Sequence, residues 1–315
     1  MSQNSIIIAL SKHRNPWLSL LILIAVIFLG IFVAEFLAIF FMLPFVDMSL
    51  REFMLSLGNW EFVPSKRALL LIMQVFISVG AFIAAPLVYF YYFEQENIKN
   101  FFQLKKRYAY PILLTICLVF SFMIVNTVLV QWNMAIKLPA FLECFEKWAQ
   151  VKEAELKNRT TFLTTFSSPI EFILAFFAIA IIPAIGEELL FRGVLQNLFH
   201  RIMQHTHLAI LVSAFIFSAI HFQFYGLVPR FCLGVLFGYI YWWSKDIIFP
   251  IIGHFINNAF TLTLLFFYRT GRIEQSIEEI EPPSLPIIFF FLIVVIIFSL
   301  IFQRYFTRRY LSLIR

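Results

Sequence analysis

The chain has 315 residues, 61% hydrophobic and only 13% charged, with 24 Lys and Arg against 18 Asp and Glu for a formal net charge of +6. Its mean hydropathy is +0.87; soluble domains run at roughly 45–50% apolar and about 25% charged, so a bilayer is expected to be the solvent for much of this chain. The small positive excess is no sign of nucleic acid, because Lys and Arg flanking membrane spans set their orientation and no basic-aromatic array is present.

A spanning helix needs roughly 20 mostly apolar residues, since about 1.5 Å of rise per residue must cross about 30 Å of hydrocarbon. Eight runs qualify: Trp17–Phe45, Ala68–Phe93, Ala109–Trp132, Ile170–Phe191, Leu208–Phe224, Leu227–Trp243, Ile247–Tyr268 and Leu285–Phe302. The first is far longer than a signal-peptide core and is read as a retained helix. The fifth and sixth are short and nearly continuous, which leaves a re-entrant or tightly turned pair open. In the long 134–169 connection, Phe141, Cys144, Phe145, Trp148 and Val151 recur at three- and four-residue spacing among Glu143, Glu146, Lys147 and Lys152. That is the pattern of an amphipathic helix, lying either in the membrane interface or on the outer protein surface.

The expected fold is therefore all-α, a polytopic bundle of about eight transmembrane helices. No internal repeat or Gly/Ser linker divides it, and its organisation reads as 1–169, 170–268 and 269–315. Short basic segments at Lys12 and Arg14, at Lys99, Lys105, Lys106 and Arg107, and at Arg304, Arg308, Arg309 and Arg315 fall on one side with eight spans, the expected cytoplasmic side. The loop holding Glu274, Glu278, Glu279 and Glu281 then faces outward. Cys117, Cys144 and Cys232 are too scattered for a disulfide framework or a CxxC zinc site, and the final Tyr310–Arg315 stretch offers no cysteine for prenylation. The Gly234-x-x-x-Gly238 spacing suits close helix packing, within the fold or between copies, so the oligomeric state stays open.

Ionisable groups inside spans are costly, with central Asp, Lys or Arg near roughly +2.5–3.5 kcal/mol, and count as functional candidates by default. Here they concentrate between 186 and 258. Glu188 and Arg192 lie four residues apart and share a helix face, so they can pair. Glu187 points about 100° away and is free to accept a proton. His221 ends an apolar run and is, taken alone, more readily a structural histidine than a catalytic one. His254 and Asn258 lie one turn apart and can aim two donors at one point, as a developing oxyanion needs or as polar glue between helices supplies.

Glu187-Glu188-x-x-x-Arg192, then Phe217-x-x-x-His221, then His254-x-x-x-Asn258 resembles, in order and spacing, the CPBP family of CAAX-processing and bacteriocin-processing membrane proteases, also called Abi proteins. The resemblance covers about residues 170–268. It implies an all-helical fold with a membrane-accessible catalytic cavity and hydrolysis of a peptide bond in a membrane-embedded or lipid-modified protein. By the same resemblance Glu187 with His221 activates a water, His254 and Asn258 hold the oxyanion, and Glu188 held by Arg192 organises the site. No cofactor is expected; the alternative is zinc on Glu187, His221 and His254, although no His-Glu-x-x-His is present. The span limits above set Glu187 beyond the middle of its helix and His221 near the outer end of a short one, whereas this mechanism needs them within about one water of each other. A proton-coupled transporter and a catalytically silent membrane scaffold are the competing classes, the first weakened by the lack of repeated halves.

Overall fold

The computed structural model describes residues 14–46, 49, 51–53, 67–95, 109–166, 168–274 and 282–314, with side chains to 308 in the last helix. Every regular element among them is helical: α1 Pro16–Phe45, α2 Arg67–Phe93, α3 Ala109–Met134, α4 Glu143–Leu163, α5 Pro169–Met203, α6 Thr206–Ala219, α7 Phe224–Ser244, α8 Ile248–Arg269 and α9 Leu285–Ile314. Seven of these are long and apolar enough to cross a membrane, and the chain is a multi-pass integral membrane protein.

Local sequence sets the helix starts. Asn15 Oδ1 accepts from the Trp17 amide ahead of Pro16, and Ser168 Oγ accepts from the Glu171 amide ahead of Pro169. Both place a capping side chain before a proline whose missing N–H would be unpaired there anyway. Past these caps the apolar side chains themselves are the stabilising surface, some turned to lipid and some to neighbouring helices. Phe28, Phe32, Phe36 and Phe40 of α1 are exposed, while Leu23, Ala34, Ala38 and Met42 are buried against the bundle.

Two expectations change. The fifth predicted span, Leu208–Phe224, is the 14-residue helix α6, about 21 Å long and short of the bilayer, so eight spans become seven and one shorter helix. The fourth, Ile170–Phe191, continues to Met203 for 35 residues in all. Its polar extension bonds inside the bundle: Gln196 Nε2 donates to the Gly238 carbonyl (3.2 Å), and Asn197 Nδ2 donates to the Gly193 carbonyl (2.8 Å) and the Tyr241 hydroxyl (2.9 Å). Arg201 pairs with Glu94 at 3.2 Å. Of the orienting charges, Lys12, Lys99, Lys105, Lys106, Arg107, Glu278, Glu279 and Glu281, with the side chains of Arg309 and Arg315, lie outside the described residues.

Among the described residues the interior holds four apolar clusters, two of them larger than the others. One gathers Leu23, Tyr89, Phe90, Phe191 and Phe217 from α1, α2, α5 and α6; the other gathers Leu118, Phe237, Phe249 and Phe302 from α3, α7, α8 and α9. Small residues let the helices approach. A Cβ at Gly186 would fall 2.7 Å from Phe82 Cβ, and one at Gly238 2.7 Å from Ile210 Cγ2, so the Gly234–Gly238 face packs α7 onto α6 inside the fold. α5 carries two π-helical turns, Phe176–Ile181 and Leu189–Leu195, one on each side of the Glu187-Glu188 pair. Such turns recur at functional sites.

Candidate active site

The α5–α6 hairpin resolves the question of depth. From Met203 back to Glu187 along α5 is about 24 Å, and from Thr206 forward to His221 is about 22 Å, at 1.5 Å per residue. Because α5 runs on to Met203 and α6 returns alongside it, the two residues come to the same level. Gln204, in the left-handed conformation at φ 54°, makes the reversal, and Phe222 at φ 53° ends the return just past His221.

Glu188 is the fixed point of the site. Its side chain has no exposed surface; Oε1 receives Arg192 Nη1 at 2.7 Å and His254 Nδ1 at 2.8 Å. The pair expected from the four-residue spacing is therefore present, and it recruits α8 as well. Arg192, itself 1% exposed, sends Nη2 to the Gly234 carbonyl at 2.8 Å and lies 4.9 Å from the Phe217 ring centre and 5.5 Å from that of Phe237. A guanidinium so placed has its donors and its flat faces matched. Phe217 belongs to the first apolar cluster and Phe237 to the second, so the Arg192–Glu188–His254 chain bridges the seam between them.

A carboxylate only accepts, so His254 donates Nδ1–H to Glu188 and turns Nε2 towards Glu187, whose Oε2 stands 3.8 Å away. Phe237 stacks on the imidazole at 5.5 Å and Phe217 meets it edge-on at 5.9 Å, which fixes the ring plane. Glu187 keeps some contact with solvent, its side chain 12% exposed. His221 donates Nδ1–H to the Phe217 carbonyl (2.8 Å), which leaves Nε2 as a bare acceptor. Its ring also touches Phe217, at 5.3 Å, so the two imidazoles flank one phenyl ring. Asn258 Nδ2 donates to the Ile179 carbonyl, within the first π-helical turn of α5, at 3.1 Å, and one N–H of that amide group remains for another acceptor.

The structure thus joins Glu187, Glu188, Arg192 and His254 directly, holds His221 beside them through Phe217, and sets Asn258 one turn along α8. Among the described residues, no group of three or more His, Cys, Asp and Glu side chains that could hold a metal ion is found. Sequence reading passed over Arg230, which lies in α7 and interacts electrostatically with Glu187. The criterion that singled out the glutamates, a charge in an apolar run, applies to it equally.

Residues 169–260 match the family model described as type II CAAX prenyl endopeptidase Rce1-like, in accord with the resemblance carried by the three motifs. Over 107 residues the chain is 31% identical to an uncharacterized protein, YpbD, of Bacillus subtilis (strain 168), covering 32% of this chain. The alignment spans 52% of that protein, about half of its length. No solved structure matches the chain.

Proposed function

We propose, with the Rce1-like segment 169–260 as premise, that the chain is an intramembrane endopeptidase that hydrolyses a peptide bond of a membrane-associated protein. The observation that carries this reading is the double hydrogen bond to Glu188 Oε1, which fixes one carboxylate and leaves its neighbour Glu187 facing an oriented imidazole. Two adjacent acids held in different surroundings divide the roles of anchor and base.

In the proposed reaction Glu187 takes a proton from water while the bare Nε2 of His221 accepts the water's other hydrogen. The oxygen attacks the scissile carbonyl carbon. Negative charge develops on the carbonyl oxygen, where Asn258 supplies its remaining amide hydrogen and His254 donates from Nε2. That donation requires hydrogen on both ring nitrogens, a state that Glu188 supports from below. Arg192 and His254 then balance Glu187 and Glu188, so the buried charges sum to zero, as burial demands. Collapse of the intermediate breaks the C–N bond, and the proton held by Glu187 passes to the leaving amine.

The test is cleavage by purified protein of quenched membrane peptides, a farnesylated carboxyl-terminal peptide among them, with and without chelator. We expect chelator-resistant turnover that falls about 100-fold or more in Glu187→Gln, the range set by loss of a general base. Turnover by that variant at the wild-type rate removes Glu187 as base. Loss with chelator and recovery with zinc replaces the metal-free mechanism.

A further inference from the structure

Glu153, Gln223 and Arg230 form a ladder beside the proposed catalytic groups. Arg230 sits at the start of α7, and its guanidinium folds back over Gly226, where a Cβ would fall 2.9 Å from Nη2 and 3.2 Å from Nη1. Nη2 donates to Gln223 Oε1 at 2.7 Å, and Gln223 Nε2 donates to Glu153 Oε1 at 3.3 Å. One side-chain amide therefore spans from one arm of a guanidinium to one oxygen of a carboxylate. The second arm, Nη1, and the second oxygen, Oε2, are both buried and have no hydrogen-bond partner among the described residues. Arg230 also interacts electrostatically with Glu187, Glu153 and His221.

A buried donor and a buried acceptor left unmade are each destabilising, so a site that keeps both is a site for a group carrying the complementary pair. A peptide group is such a pair, with C=O and N–H on opposite sides of a trans bond. The first rung is already filled by an amide of the same chemistry, that of Gln223. We propose that the open rung holds one peptide group of the substrate, its C=O accepting from Arg230 Nη1 and its N–H donating to Glu153 Oε2. The inference rests on the endopeptidase reading and adds to it a backbone-reading subsite, contributed in part by α4 from outside the spanning helices. A grip of this kind holds an extended chain next to Glu187 and is indifferent to the side chains it carries.

The experiment measures binding of a fluorescein-labelled farnesylated peptide, and of analogues in which one backbone N–H at a time is replaced by an ester oxygen, to the full-length Glu187→Gln protein in nanodiscs. One analogue is expected to bind about tenfold more weakly, the effect of losing one hydrogen bond to a charged group. In Glu153→Ala on the same background that penalty shrinks to within about twofold, while Glu153→Gln, which keeps an oxygen acceptor and serves as the folding control, retains part of it. No position with a penalty, or a penalty unchanged by Glu153→Ala, overturns the subsite and leaves water as the occupant of the rung. Absence of binding by every analogue overturns it as well. A Glu153-dependent penalty with no cleavage by the wild type overturns the endopeptidase reading and leaves the subsite standing.

Discussion

Glu188 has no exposed surface and two hydrogen-bond donors on one oxygen, whereas Glu187 keeps 12% of its side chain exposed and has His254 Nε2 at 3.8 Å, so the two acids respond differently to substitution. Arg192→Met leaves Glu188 as a buried anion short of its main partner, and such a loss costs about 3–5 kcal/mol. A marked drop in melting temperature in detergent is the expected result, with activity lost alongside. Arg192→Lys keeps the charge but not the fork that reaches Glu188 and the Gly234 carbonyl together, and should fall between. An unchanged melting temperature in Arg192→Met contradicts the anchoring role. At this scale the i,i+4 pairing of Glu188 and Arg192 was legible because helix geometry alone dictates it. The bond from Glu188 to His254 was not, since it joins residues 66 apart through the packing of α5 on α8.

Among the elements, α5 depends on its crossing with α2 at Gly186. Gly186→Val sets new carbon where Phe82 Cβ already stands at 2.7 Å, and is expected to destabilise by about 1–3 kcal/mol and to lower turnover by displacing Glu187. Thermal unfolding and cleavage rate measured on the same preparation test both. The amphipathic pattern at 141–152 falls on the short turn Ala140–Leu142 and on α4, where Phe141, Phe145, Trp148 and Val151 are all exposed. That exposure favours the membrane-interface reading over packing on protein. A spin label on the exposed Cys144, with Cys117 and Cys232 replaced by Ala, should relax faster with oxygen dissolved in lipid than with a water-soluble paramagnet. The reverse order places this face in water. Helix positions were legible wherever an apolar run met a polar boundary, as at Trp17–Phe45. α5 and α6 were misjudged because Gln196, Asn197 and Arg201 continue a helix that polarity alone would end. Phe222, with neither Gly nor Pro beside it, stops a run that hydropathy alone would continue.

For the molecule as a whole, we propose that the short α6 pairs with α7 as an out-and-back excursion, which adds no net crossing to the other six spans and sets both termini on one side. We propose that this side is cytoplasmic, from the excess of Lys and Arg in the short segments. Reporter fusions at both ends should give the cytoplasmic signal, and opposite signals would break the antiparallel pairing. The multi-pass helical class was legible from composition, whereas the division of the described interior into four apolar clusters was not, because hydropathy does not record which helices meet. The two largest of these meet at Arg192, Glu188 and His254, so residues of the candidate site also tie α5 to α7 and α8. The consequence reaches into cells. Since about 1–2 kcal/mol of stability can change abundance several-fold, a survey of inactivating alleles would divide by protein level. Alleles at Glu187 would accumulate as inert full-length protein, able to occupy substrate, while alleles at Glu188 or Arg192 would be cleared by quality control and leave nothing behind.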